Sequence, residues 1–88
     1  MKTSTFEIKN KMGLHARPAS EIAKLVGTHK SKVMLKCGAK EVNGKSMLLI
    51  TTLGAKQGTE VTLTVEGEDE DEVFAVLEEM FANSFGEE

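Results

Sequence analysis

The apolar residues alternate between two spacings along the chain, and this alternation limits the possible folds more than any other feature. In segment 61–65 (VTLTV) every second residue is apolar, which is typical of a strand with one buried face. In segment 19–26 (ASEIAKLV) apolar residues recur at intervals of three and four, which forms one stripe along a helix. The chain therefore combines strands and helices that each need a covered face.

Two helices are predicted in the first 54 residues. The first runs from near Ala16 to near Gly27, and Pro18 lies in its first turn, where a missing N–H breaks no hydrogen bond. Ser46 directly precedes an apolar run that ends before Gly54. This pattern indicates the N-cap of a short second helix and its glycine end.

A third helix is predicted to begin after Asp69, which is a good N-cap residue. Glu72 occupies the position of a capping box, three residues later. The apolar stripe of this helix consists of Val73, Val76, Leu77, Met80 and Phe81. Phe85 either extends that stripe or lies in a frayed end.

The remaining apolar segments predict three more strands. One contains Phe6 and Ile8, and residues 33–37 form a hairpin with a short run around Glu41 and Val42. The element order is β-α-β-β-α-β-α, which favours an α+β fold, an open-faced sandwich with one four-stranded antiparallel sheet and helices on one face. Periodicity alone leaves a ferredoxin-like arrangement with an added C-terminal helix as an alternative.

Length and composition restrict the class of protein. The 88 residues leave room for a single domain over 1–88, and 40% apolar with 28% charged residues is typical of a soluble globular chain. The longest strongly apolar run, Met47 to Ile50, is too short to span a membrane, and the N-terminus lacks a signal core. The single Cys37 forms neither an internal disulfide nor a cysteine zinc site. We therefore expect a cytoplasmic protein.

Charge is divided between the two parts of the chain. Residues 1–58 carry all 11 Lys and Arg beside three Glu, and residues 59–88 carry only acidic charges. A basic first part attracts phosphate groups or an acidic protein, whereas the acidic second part opposes nucleic acid. We therefore expect no nucleic-acid partner.

His15 lies where the first loop meets the first helix, and Arg17 follows two residues later. The opening amides of a helix have no intrahelical acceptor, so an anion beside His15 finds hydrogen-bond donors and a favourable dipole. The guanidinium of Arg17 matches phosphate oxygens. These residues predict a histidine that accepts a phosphoryl group, although a plain helix start with a solvated arginine has the same sequence.

Four segments resemble the HPr family, the histidine-containing phosphocarriers of the bacterial sugar phosphotransferase system. They are GLHARPAS at 13–20, VNGKSMLL at 42–49, TLGAKQGTEV at 52–61 and VEGEDEDE at 65–72. Their order and spacing extend the resemblance over residues 3 to about 83. The resemblance implies the HPr open-faced sandwich, with strand order 1-4-2-3 and three helices on one face.

The resemblance also implies the chemistry. His15 would accept a phosphoryl group on Nδ1 from phosphorylated enzyme I, which takes it from phosphoenolpyruvate, and would pass it to enzyme IIA. Arg17 and the amides of Ala16 and Arg17 would hold the phosphate. The chain would be a carrier rather than an enzyme, without cofactor or metal. We expect an exposed site, because two partners must approach the same nitrogen in turn.

The resemblance further implies a partner-binding surface and a regulatory site. The partner-binding residues would be Ser20, Lys24, Lys45, Met47, Leu48 and Thr52; a buried helix face remains the alternative for Met47 and Leu48. Ser46 corresponds to the serine that an HPr kinase/phosphorylase modifies in many bacteria, and a transcription regulator is a further possible partner. We expect the free protein to be a monomer.

Other functions stay open at the level of sequence. A carrier of the nitrogen-related branch, which feeds a regulatory enzyme IIA, has a similar sequence, and so has a regulatory binding module that relays no phosphate. Glu21 and Gly27 depart from some members of the family. His29 has no residue at ligand spacing nearby in the sequence, so we expect an ordinary surface histidine.

Overall fold

The order of strands and helices predicted from the apolar spacing is confirmed. The elements are β1 (Lys2–Glu7), α1 (Ala16–Gly27), β2 (Lys32–Cys37), β3 (Lys40–Asn43), α2 (Met47–Thr51), β4 (Glu60–Glu66) and α3 (Glu70–Ala82), followed by a 3-10 turn at Ser84–Gly86. This computed structural model describes residues 1–86, so the last two residues of the expected domain over 1–88 lie outside the described residues. Within 1–86, no helix has the length and apolar character needed to cross a membrane.

The four strands form one antiparallel sheet in the order β1-β4-β2-β3. This order and the three helices confirm the open-faced sandwich. The register places apolar residues opposite each other, with Val61 facing Phe6 on β1 and Leu63 facing Leu35 on β2. Cross-strand apolar pairs on one face specify this register, because a slip of one residue would turn them to the other face.

The two faces of the sheet differ as the alternating pattern predicts. Val61, Leu63 and Val65 are fully buried in the core. The intervening Thr62 and Thr64 lie on the opposite face, where their hydroxyl groups pair with those of Thr5 and Thr3 on β1 at 3.0 and 3.4 Å. A sheet with one polar face is stable in water when helices cover the other face, and here α3 lies against β1 and β4.

The apolar stripe of α3 differs from the prediction at one residue. Val73, Leu77 and Phe81 are buried, whereas Val76 is 39% exposed. Phe85 extends the buried stripe, with its ring edge-to-face against Phe81 at 4.9 Å. Stripe residues four apart share one helical face, and Val76 lies one position off it, which turns its side chain away from the sheet.

The predicted capping box at the start of α3 is wrong. Asp69 is the N-cap residue, but its side chain makes no hydrogen bond to α3. Its carboxylate accepts hydrogen bonds from the amides of Lys30 and Ser31, at 3.0 and 2.8 Å, and from the Ser31 hydroxyl. The hydrogen bond from the Ser31 side chain is the main reason why the pKa of Asp69 is lowered to about 2. The carboxylate that reaches back to a loop amide belongs to Glu70 rather than Glu72.

Candidate functional site

His15 is the N-cap residue of α1. Its backbone is extended (φ −80°, ψ −170°), and its carbonyl accepts the first helical hydrogen bond, from the amide of Ala19 at 3.1 Å. The amides of Ala16 and Arg17 therefore have no acceptor within the helix, and Pro18 has no N–H. The half-buried imidazole does not cap α1, so it does not occupy these two donors. An anion beside the ring would meet both amides and the positive end of the helix dipole.

Hydrogen bonds within the loop and to the loop before β4 fix the backbone that precedes His15. Asn10 is buried, and its side-chain amide donates to the carbonyl of Gly13 at 2.7 Å, while the Gly13 amide donates to the Asn10 carbonyl at 3.1 Å. The amide of Leu14 donates to the carbonyl of Ala55 at 2.9 Å. The backbone on the N-terminal side of His15 is thus held by its own loop and by the loop before β4.

Arg17 contacts the C-terminal end of the described chain. Its Nη2 atom donates to the carbonyl oxygen of Phe85 at 3.4 Å. Ser84 and Phe85 both have a positive φ, 53° and 55°, which turns the chain after α3 back towards α1. The sequence contains no signal for this contact, because residues other than glycine, asparagine and aspartate seldom adopt the left-handed conformation.

The N-cap role of Ser46 is confirmed, since its hydroxyl oxygen accepts a hydrogen bond from the Leu49 amide at 3.1 Å. In the first turn of α2, Met47 is 43% exposed and Leu48 is 71% exposed, so the alternative of a buried helix face is wrong for both. Leu49, which sequence reasoning missed, is 44% exposed. Ile50 alone among the helical residues of α2 is buried.

The remaining predicted partner-binding residues belong to α1 or flank α2 in the sequence. Lys24, Lys45 and Thr52 are exposed and Ser20 is half-buried, and α1 packs against α2. Lys40, also missed from the sequence, donates from Nζ to the Thr52 carbonyl at 3.1 Å, which adds a cation at the end of α2. We call the exposed residues of this surface the α1–α2 face; they are Lys24, Lys40, Lys45, Met47, Leu48, Leu49 and Thr52. It is an apolar patch bordered by cations.

A second histidine lies at the other end of α1. The fold brings His29 together with Asp69 and Glu72, with ligand atoms within 4.8 Å of one another, although sequence spacing predicted no such neighbours. The Nδ1 atom of His29 lies 2.7 Å from the carbonyl oxygen of Leu25. Both carboxylate oxygens of Asp69 already accept hydrogen bonds from residues 30 and 31. These contacts account for the cluster as a structural junction between α1 and α3.

Comparison with known proteins gives one consistent family. Residues 2–83 match the family model described as "PTS HPr component phosphorylation site". The chain is 38% identical to the phosphocarrier protein HPr of Treponema pallidum over 88 residues, which is the full length of both, and 42% identical to HPr of Lysinibacillus sphaericus over 77 residues, 88% of each chain. The crystal structure of HPr-C-His from Thermoanaerobacter tengcongensis superposes with a TM-score of 0.93 at 43% identity, covering 100% of this chain and 99% of that one. The chain therefore belongs to the HPr family, the phosphocarrier proteins of the phosphotransferase system.

Proposed function

We propose that Nδ1 of His15 accepts a phosphoryl group from phosphorylated enzyme I and passes it to enzyme IIA of sugar transporters. In each transfer a phosphorus–nitrogen bond forms on the acceptor histidine as the bond from phosphorus to the donor nitrogen breaks. The acceptor Nδ1 must hold its lone pair, so the reacting imidazole is neutral with its proton on Nε2. No metal or organic cofactor enters this step.

The position of His15 at the start of α1 is the observation that supports this proposal best. Ala16 and Arg17 directly follow His15 in the sequence. Their two backbone amides and the Arg17 guanidinium can all donate hydrogen bonds to an anion. Such donors stabilise charge on the phosphoryl oxygens during transfer. Arg17, now bonded to the Phe85 carbonyl, would exchange that neutral acceptor for the phosphate, with which it forms a stronger, charge-assisted hydrogen bond.

We assign the α1–α2 face to docking of enzyme I and enzyme IIA, with Ser20 at its border. An apolar patch surrounded by cations suits a short-lived complex with acidic partners, because the charges speed association and the small area allows rapid release. Met47, Leu48 and Leu49 provide the apolar contact. Lys24 and Lys45 would meet carboxylates of the partner.

Ser46 is the proposed regulatory site, as a substrate of an HPr kinase/phosphorylase. A phosphate at this N-cap is compatible with the end of the helix, where negative charge is favoured. It also places negative charge beside Lys45 and Met47, in the surface that docks acidic partners. Phosphorylation of Ser46 would therefore slow phosphoryl relay and favour a different partner, such as a transcription regulator.

We further propose that residues 1–88 act as one domain, as a monomer and in the cytoplasm. One core cluster supports the single domain, since residues from β1 through Phe85 contribute to it. Both proposed transfers need His15 and the α1–α2 face to be accessible, which a monomer provides.

Incubation with active enzyme I and phosphoenolpyruvate tests the proposal. We expect the intact mass of the wild type and of His29→Ala to increase by one phosphoryl group, and that of His15→Ala to stay unchanged. Because the chain has only two histidines, His29→Ala is the matched control. The product should be stable in alkali and lost in mild acid.

Phosphorylated wild type is then tested as a phosphoryl donor to enzyme IIA. Transfer to a sugar-specific enzyme IIA supports the sugar branch, whereas transfer only to a regulatory enzyme IIA would place the chain in the nitrogen-related branch. Phosphorylation of His15→Ala at the wild-type rate would refute the assignment of the site. Failure with active enzymes I of both branches would refute the relay itself.

A further inference from the structure

The acidic surface of α3 has no part in the proposed relay. The helix Glu70–Ala82 contains five acidic residues and no basic one. The proposed docking on the α1–α2 face uses Lys24, Lys40 and Lys45, none of which belongs to α3. The acidic surface of α3 is therefore left without an assigned role.

A groove of about 450 Å³ lies between α1, α3 and the turn at Ser84–Gly86. Its apolar lining comes from Val76, Met80 and Phe85, and each helix adds a carboxylate, Glu21 from α1 and Glu79 from α3. Neither carboxylate forms an ion pair with any residue from 1 to 86. The groove is thus an apolar surface flanked by two carboxylates outside any ion pair, and Arg17 is the one cation that lines it within residues 1–86.

We propose that this groove docks a basic, amphipathic helical segment of a partner protein. An apolar side chain of the segment packs against the exposed Val76, and a lysine or arginine lies between Glu21 and Glu79. Along α3, Glu72, Val76 and Glu79 share one stripe. The carboxylates of Glu72 and Glu79 are about two helical turns apart, with Val76 between them. A segment with cations two turns apart and an apolar residue between them has the matching spacing.

The charge of the groove favours a basic segment over an acidic peptide or a nucleic acid. The lining holds two carboxylates against one guanidinium, that of Arg17, and Arg17 is engaged with the Phe85 carbonyl at 3.4 Å. The neighbouring exposed residues of α3 add further negative charge. An acidic peptide or a nucleic acid is repelled by this surface, and a basic segment is attracted. The groove shares Arg17 with the proposed transfer site and no residue with the α1–α2 face.

The test is a titration of the isotope-labelled full chain with a basic helical peptide, followed by NMR. The probe is a capped peptide of two alanine-based heptads, each with lysine and leucine three positions apart. Shifts should saturate at Glu21, Val76, Glu79 and Met80. Glu79→Lys should weaken binding by at least about fivefold, as expected when a close charge pair is reversed. Glu78→Lys is the matched control, because Glu78 is the exposed neighbour of Glu79 that does not line the groove.

We expect Glu78→Lys to bind within about twofold of wild type. Equal weakening by both substitutions would overturn the proposal, because attraction to α3 as a whole would then explain binding. Shifts confined to the α1–α2 face, no saturable binding, or equal binding of a peptide with glutamate in place of lysine would also overturn it. So would a dimer of the free chain with the groove at its interface, since a second copy would then be the occupant. Dispersed spectra of both variants confirm that they are folded.

Discussion

Gly13 lies against Ala55, whose carbonyl oxygen occupies the space that a Cβ atom on Gly13 would need. The same carbonyl accepts the hydrogen bond from the amide of Leu14 at 2.9 Å. Gly13 also has a positive φ of 66°. The close approach of two loops, two residues before His15, therefore depends on the absence of a side chain.

Gly13→Ala should lower the free energy of unfolding by about 2–4 kcal/mol, from the left-handed backbone and the overlap with Ala55 together. Gly38→Ala is the matched control, because Gly38 has φ 63° and open space around its Cβ position. Gly38→Ala should lower the free energy of unfolding by only about 1 kcal/mol. Urea unfolding measures both losses. If the two variants are equally stable, the contact with Ala55 does not constrain the loop.

Three variants of Ser46 distinguish its role as a helix cap, which affects stability, from the effect of negative charge on docking. Ser46→Ala removes the acceptor of the Leu49 amide and should cost about 1 kcal/mol of stability, whereas Ser46→Asn and Ser46→Asp keep a capping oxygen and should stay close to wild type. Only Ser46→Asp should slow phosphorylation by enzyme I, because only it adds negative charge beside Lys45. Thermal unfolding and initial rates of transfer give the two readouts. A slow Ser46→Asn would indicate that the hydroxyl itself, and not charge, matters for docking.

The features that the sequence predicts well are those that depend on neighbours along the chain. The N-cap at Ser46 is one, because the hydroxyl and the amide that it accepts from are three residues apart. The alternation of Val61, Leu63 and Val65 is another, since burial of one sheet face requires it. The strand order 1-4-2-3 required the resemblance to known proteins, because periodicity determines which face of a strand is buried but not which strand is its neighbour.

The features that were missed depend on contacts between distant segments. Asp69 has the residue type of an N-cap with a capping side chain, yet its carboxylate bonds to Ser31, 38 positions earlier in the chain. The contact of Arg17 with the Phe85 carbonyl spans 68 positions and depends on a left-handed turn. In α2 the run MLLI is apolar on all sides, so only the packed structure decides that Leu49 is exposed.

Asp69 should make stability depend on acid pH. Hydrogen bonds from Ser31 and Lys30 lower the pKa of this carboxyl from 3.8 to about 2 in the folded chain. A lowered folded pKa stabilises the folded state above the unfolded pKa, and this contribution is lost as the pH falls through the folded pKa. Asp69→Asn should therefore be less stable than wild type at pH 7, and the difference should shrink between about pH 4 and pH 2.

Urea midpoints at several pH values measure that difference. Asp71→Asn is the control, because Asp71 is an exposed aspartate of the same helix whose partner, Lys2, lies on β1 at 3.2 Å. It should keep the acid dependence of the wild type. A gap between Asp69→Asn and wild type that is constant from pH 7 to pH 2 would mean that the charge of Asp69 does not contribute.

Variants of Leu48 and Ile50 should distinguish a residue that contributes to docking from one that contributes to folding, although both belong to one short helix. Leu48 is 71% exposed and Ile50 is fully buried, although both belong to the same apolar run. Leu48→Ala should change the free energy of unfolding by less than about 0.5 kcal/mol, because little apolar surface is lost from the core. It should raise the KM of enzyme I for this carrier at least about fivefold, as expected when an exposed apolar anchor of an interface is truncated.

Ile50→Val should show the opposite behaviour, with a loss of about 1 kcal/mol in stability and an unchanged KM. The comparison is informative because each variant removes only hydrocarbon groups and leaves charge unaltered. Steady-state transfer from enzyme I and urea unfolding of the same preparations test both residues. An unchanged KM in Leu48→Ala would exclude the first turn of α2 from the docking surface, and a raised KM in Ile50→Val would mean that docking responds to the stability of α2 rather than to its exposed side chains.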